Sequence, residues 1–217
     1  MKTDQELKRD VERELEWDPG IDASAIGVAV RDGAVILTGE VSTYLEKWRA
    51  VRAAERVQGV RAVADEIVVR LPGEYERTDA DIARAVANAL EWDPAVPTTV
   101  KATVKDGHVT LRGEVEWEYQ REAAQRAVRH LMGVRGVTDL VVVRPKVTPI
   151  DVKQKIREAL ERQALLDAKS IDVESLNGTV VLKGHVHSRI EAEAAEKAAW
   201  STPGVTKVEN KLAVVPE

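Results

Sequence analysis

The chain has 217 residues, a formal net charge of −5 at pH 7 and no cysteine. Disulfides and thiolate metal sites are excluded, and an overall attraction to nucleic acid or to an anionic membrane is not expected. No run approaches the ~18 apolar residues of a membrane span, and the polar start Met1–Glu6 lacks the apolar core of a signal peptide. A cytoplasmic protein without a transmembrane segment is therefore expected, or a periplasmic one if a signal has been removed.

In chain order, the first element is a helix. Thr3-Asp4-Gln5-Glu6 places a hydroxyl to accept an orphan N–H, with an acid three residues later, the pattern of a capping box. Leu7, Val11 and Leu15 then recur every fourth position as one apolar stripe, and Pro19 forbids continuation beyond Trp17-Asp18. Period-two alternation follows. Ile26, Val28 and Val30 lead into Asp32-Gly33, and Val35, Leu37, Gly39 and Val41 lead out. Asp-Gly between alternating runs is a strong hairpin signal, and a one-residue slip would turn the apolar face to water. A second helix carrying Ala50 and Ala53 ends near Gly59, a candidate left-handed cap, and a last strand covers Ile67–Val69.

This order is written three times. Asp32–Val41 recurs as "DGHVTLRGEV" from Asp106 and "NGTVVLKGHV" from Asn177. Thr78-Asp79-Ala80-Asp81 and Thr148-Pro149-Ile150-Asp151 repeat the helix start, Ile82, Val86 and Leu90 repeat the stripe, and Leu140–Val143 and Leu212–Val215 repeat the last strand. A register held this long is a tandem repeat. The predicted fold is α+β: three tandem αββαβ units, each a three-stranded mixed sheet with two helices packed on one face. The units span 1–72, 73–146 and 147–217, joined by short proline-bearing connections that imply a semi-rigid array.

Nine glycines take structural roles: Gly33, Gly107 and Gly178 in turns, Gly59, Gly133 and Gly204 as caps, and Gly39, Gly113 and Gly184 inside strands. The last three are expected to face the second helix, whose alanines (Ala50, Ala124, Ala195; Ala53, Ala127, Ala198) would allow close approach. A phosphate cradle is the competing use of such glycines, but turn, packing and cap account for all of them.

The pattern resembles the BON domain (bacterial OsmY and nodulation). The resemblance rests on Asp/Asn-Gly-x-Val-x-Leu-x-Gly-x-Val at fixed spacing from the Gly-Val pairs 59–60, 133–134 and 204–205. It implies a non-enzymatic module of bacterial stress and envelope proteins. It further implies phospholipid binding, protection against osmotic shock or, in one cytoplasmic relative, potassium binding. This chain lacks the lipoprotein cysteine of envelope members and a recognisable LysM module.

No catalytic constellation stands out. His108, His130, His185 and His187 share no position across the repeats. His185 and His187 could share a strand face as metal ligands, but no third ligand is recognisable, and neither metal nor cofactor is expected. Trp17 and Trp92 sit at equivalent helix ends, where the third unit has Arg162; Trp48, Trp117 and Trp200 occupy non-equivalent places. Such a residue commonly caps a core or packs between units, and it can also anchor in a membrane interface or partner groove. Absence from one copy favours an interface or ligand role, so Trp17, Trp92, Trp48 and Trp117 are the candidate binding residues. The partners expected are phospholipid head groups or a protein.

Arg121, Arg126, Arg129 and Arg135 form a basic stretch interleaved with Glu118 and Glu122, and read as a solvated face. The units carry 11, 11 and 10 basic against 14, 12 and 11 acidic residues, which argues against nucleic acid and against simple attraction to anionic lipid. The function expected is a non-enzymatic binding or scaffold protein. The alternative is a potassium sensor using the carbonyls of Asp32-Gly33 and Asp106-Gly107.

Overall fold

The computed structural model describes residues 2–144, 152–161, 170–176 and 178–215. Among these residues there are three three-stranded sheets. In the first repeat α1 (Asp4–Trp17) precedes β1 (Ile26–Arg31), β2 (Ala34–Val41), α2 (Tyr44–Arg56) and β3 (Ala62–Val69). The second runs α3 (Asp79–Trp92), β4 (Lys101–Lys105), β5 (His108–Val115), α4 (Glu118–Arg129) and β6 (Gly136–Val143). The third runs α5 (Val152–Glu161), β7 (Ile171–Leu176), β8 (Thr179–Val186), α6 (Arg189–Trp200) and β9 (Lys207–Val214). Each sheet has its hairpin's second strand in the centre. β4 is antiparallel and β6 parallel to β5, and β7 and β9 stand in the same relation to β8. A parallel pair needs a crossover connection, usually a helix, which is the job of α4 and α6.

The caps form as the sequence demands. Thr3 Oγ1 accepts from Glu6 N at 3.3 Å while Glu6 Oε2 accepts from Thr3 N at 2.8 Å, and Thr78 Oγ1 accepts from Asp81 N at 3.2 Å. The third signature, 148–151, lies outside the described residues, as do Arg162 and Asn177. The apolar stripes are buried: Ile82, Val86 and Leu90 of α3 meet a core shared with Val109, Leu111 and Val115 of β5 and Ala123, Ala124 and Val128 of α4. In the third repeat Ile156, Leu160, Val173, Val180, Leu182, Ala195 and Ala199 make the corresponding cluster.

Two expectations are corrected. The last strands begin earlier than the apolar runs 67–69, 140–143 and 212–215, because polar residues precede those runs on a sheet whose outer face is open. Asp65, Asp139 and Asn210, at one repeat position, each accept from the amide two residues on (Ile67, Val141 and Leu212) at 3.1, 2.9 and 3.2 Å. A side chain that satisfies its own strand's amide blunts a sheet edge.

The strand glycines do not face the second helix. A Cβ on Gly39, Gly113 or Gly184 would lie 2.0, 2.3 or 2.0 Å from the carbonyl oxygen of Ala25, Thr99 or Ser170, the residue entering the neighbouring strand. Their φ angles of 126°, 139° and 118° swing that direction from the helix layer to the adjacent backbone.

Packing groups the chain into two compact units. One contains Met1–Gly39, Arg49–Ile67 and Lys146–Glu217, the other Glu40–Trp48 and Val68–Pro145. Within the former, first and third repeats touch: Gly59 N donates to His187 O at 2.9 Å, Arg52 bonds Glu193, and Arg189 lies 3.7 Å from Glu55. Among the described residues no helix is long and apolar enough to cross a membrane.

Candidate functional site

The four candidate tryptophans separate into two classes. Trp17 and Trp92, the last residues of α1 and α3, are 84% and 85% exposed. Each helix stops there because the next residue, Asp18 or Asp93, turns extended and folds its carboxylate onto the amide two residues on, at 2.9 Å in both. The indole is left projecting from the last turn. Beside Trp17 lies an open groove with Asp10, Arg13, Glu14, Arg56, Val57 and Gln58 in its walls, where Arg56 Nε donates to Glu14 at 2.9 Å. Neither residue caps a core. Trp48 and Trp117, by contrast, are half-buried. The Arg129 guanidinium stacks over Trp48, 4.1 Å from the ring centroid, a cation–π contact. Trp200 packs against the third core with its indole N–H buried and, among the described residues, without an acceptor.

The hairpin turns reveal a device that sequence reading missed. Asp32 and Asp106 have φ of 51° and 53°, as a type I′ turn requires at its first central position. The first-turn aspartates reach across to hold them. Asp4 accepts from Asp32 N and Gly33 N at 2.9 and 3.2 Å, and Asp79 from Asp106 N and Gly107 N at 2.8 and 2.9 Å. Hydrogen bonds from Gly107 and Asp106 hold the Asp79 carboxyl below its ordinary pKa. The available signal was an aspartate directly after the capping threonine in two repeats, replaced by Pro149 in the third. The glycine carbonyls of these turns each accept one backbone amide: Gly33 O from Arg61 and Gly107 O from Arg135, both at 2.9 Å.

The remaining polar residues are distributed rather than convergent. His185 is exposed on β8, and His187, beyond its end, places Nδ1 3.4 Å from Glu191. Among the described residues no group of three or more His, Asp or Glu side chains is placed to hold a metal. Of the basic stretch, Arg121 bonds Glu118 at 2.6 Å and Arg135 lies 3.8 Å from Glu76. Burial pushes the Glu118 carboxyl up, against the pull of Arg121. Among the described residues one Glu118 oxygen is buried without a hydrogen-bond donor, beside the ion pair with Arg121.

Comparison with known proteins agrees with this arrangement of repeats. The chain is similar to "Osmotically-inducible protein Y" of Escherichia coli (strain K12), 26% identical over 190 residues that cover 82% of this chain and 92% of the relative. Two solved structures of CdsD, a structural protein of the type III secretion system of Chlamydia trachomatis, align over 96% and 99% of this chain and 92% and 100% of theirs. Their identities are 14% and 15%, with TM-scores of 0.28 and 0.27, too low for any inference. The BON-domain family model matches residues 3–70, 78–145 and 151–216. With matches across most of its length, the chain belongs to the BON domain family.

Proposed function

We propose that this chain is a non-enzymatic binding protein of osmotic or envelope stress that docks on phospholipid membranes through the indoles of Trp17 and Trp92. The observation that carries the reading is the near-complete exposure of both residues at equivalent helix ends. A large exposed aromatic loses hydration favourably when it enters the head-group region, and its N–H keeps a polar partner there. The name of the Escherichia coli relative, osmotically-inducible protein Y, supports the stress context. Two anchors on one chain add avidity, since the second binds at the effective concentration set by the first.

Vesicle co-sedimentation combined with tryptophan fluorescence tests it. The parent protein pellets with phospholipid vesicles and its emission shifts to the blue. W17A/W92A loses about tenfold or more in partitioning, because each indole removes 150–250 Å² of surface from water at ~25 cal/mol/Å² before ordering costs. Its folding stability stays within about 0.5 kcal/mol of the parent, as for other surface changes. A double variant that binds as the parent does would remove the indoles from the mechanism. A parent that pellets with no vesicle would leave a protein partner as the ligand.

A further inference from the structure

The helix-free face of the middle sheet carries a charge that the net balance of the chain conceals. Side chains along a strand alternate between faces. Val109, Leu111 and Val115 are buried towards the helices, so His108, Thr110, Arg112 and Glu114 stand on the open side. Register places Lys101 opposite Arg112, Thr103 opposite Thr110 and Lys105 opposite His108. On the other flank Thr138 lies opposite Thr110, Leu140 opposite Arg112 and Val142 opposite Glu114. Lys101, Lys105 and Arg112 are exposed, and among the described residues none of them pairs with a carboxylate. The acid of this face, Glu114, is held by Arg144 at 3.1 Å.

The third repeat provides an internal control. At the positions of Lys101, Thr103 and Thr138 it has Asp172, Glu174 and Glu209. Its cations are accordingly neutralised: Lys183 lies 2.7 Å from Glu174, and Lys207 and Lys211 lie 2.7 and 3.1 Å from Glu209. One backbone presents a self-compensated face in one copy and an uncompensated cationic face in another.

We propose that the open face of the middle sheet, with Lys101, Lys105 and Arg112 beside Leu140 and Val142, is a docking surface for an anionic phospholipid bilayer. The proposal rests on the membrane reading above and adds the head-group charge and the surface that senses it. Leu140 and Val142 are 50% and 49% exposed and supply apolar contact next to the cations. Lysine stems cover apolar surface while their ammonium groups reach phosphate. A nucleic acid fits less well. The strands of this face carry no Phe, Tyr or Trp on which a base could stack, and the middle repeat as a whole is slightly acidic, with 12 acids to 11 bases.

The experiment compares the parent with K101Q/K105Q/R112Q and with K183Q/K207Q/K211Q on phosphatidylglycerol and phosphatidylcholine vesicles, each variant first shown to melt as the parent does. The parent prefers phosphatidylglycerol, and the preference shrinks as salt shortens the Debye length. K101Q/K105Q/R112Q loses about tenfold or more of its binding to phosphatidylglycerol, since each cation near an anionic surface adds to the attraction. Its binding to phosphatidylcholine is unchanged, and K183Q/K207Q/K211Q matches the parent on both. Equal losses in the two triple variants would reduce the effect to net charge and overturn the proposal. So would a K101Q/K105Q/R112Q variant that keeps the parent's preference, and so would DNA that displaces vesicles from the parent but fails to bind that variant. A parent that binds both vesicles equally through Trp17 and Trp92 overturns this proposal alone. A parent that binds neither overturns the membrane reading with it.

Discussion

Gly113 shows why one residue type is required at one place. Its φ of 139° is a conformation that side chains rarely adopt, and a Cβ would press on Thr99 O at 2.3 Å. Gly113→Ala therefore adds backbone strain of ~1–3 kcal/mol to an overpacking cost of similar size. The substitution should lower stability by about 3 kcal/mol, seen as an early phase in urea unfolding, and Gly113→Val should do at least as much. A variant as stable as the parent would mean that the strand entry at Thr99 can yield. Asp79 makes a second prediction at this scale. Its folded pKa lies below the ordinary carboxylate value because the two turn amides bond the charged form. Its contribution is therefore present above the unfolded pKa and disappears as pH falls through the folded one. Exchange of the Asp106 and Gly107 amides, corrected for intrinsic rates, should become less protected over that acid range, and Asp79→Ala should show low protection throughout. Equal protection in parent and variant at neutral pH would refute the clamp.

At the scale of elements, the first helix of each repeat depends on its opening residue, since four N–H groups at a helix start have no partner within the helix. Thr3 and Thr78 each satisfy one of them. Thr78→Ala should cost ~1 kcal/mol, measured as a lower melting temperature of the second repeat, with Thr78→Ser restoring most of it. If alanine leaves the melt unchanged, solvent caps α3 as well as the hydroxyl does. The element boundaries that were legible are those with local causes: Pro19 and Pro94 after α1 and α3, and Asp-Gly between the hairpin strands. The starts of β3 and β6 were not legible, because Asp65 and Asp139 interrupt the apolar alternation and are satisfied by the amides of Ile67 and Val141.

For the whole molecule, the contact between first and third repeats turns on Arg52, which bonds both Glu193 and Glu55. Burial pushes the Glu55 carboxyl up, and Glu193 pushes it further. Arg52→Ala should destabilise this packing unit by about 1–2 kcal/mol, less than a fully buried pair loses because the guanidinium remains partly solvated. The raised pKa sets the sign of the pH dependence. Ionised Glu55 opposes the fold, its protonated form does not, and stability from this group is lost as pH rises through the folded pKa. The deficit of the Arg52→Ala variant should therefore shrink on acidification, when the carboxylates no longer need a cation. A deficit independent of pH would assign the role of Arg52 to packing alone.

Local rules determined which segments are helix, strand and turn, where two of the first helices begin and stop, and that one module is written three times. Period, capping and turn chemistry act over a few residues, and the amino-acid order records them directly. The tertiary structure decided the rest. The neighbour of Gly113 is a backbone oxygen because φ, set by strand pairing, aims its missing side chain there. Trp17 and Trp92 are exposed while Trp48 lies under Arg129, a difference that depends on what packs around each indole. The cationic face of the middle sheet disappears in a net charge, because a sum over residues has no direction, and pairing β4 with β5 in register gathers Lys101, Lys105 and Arg112 on one side.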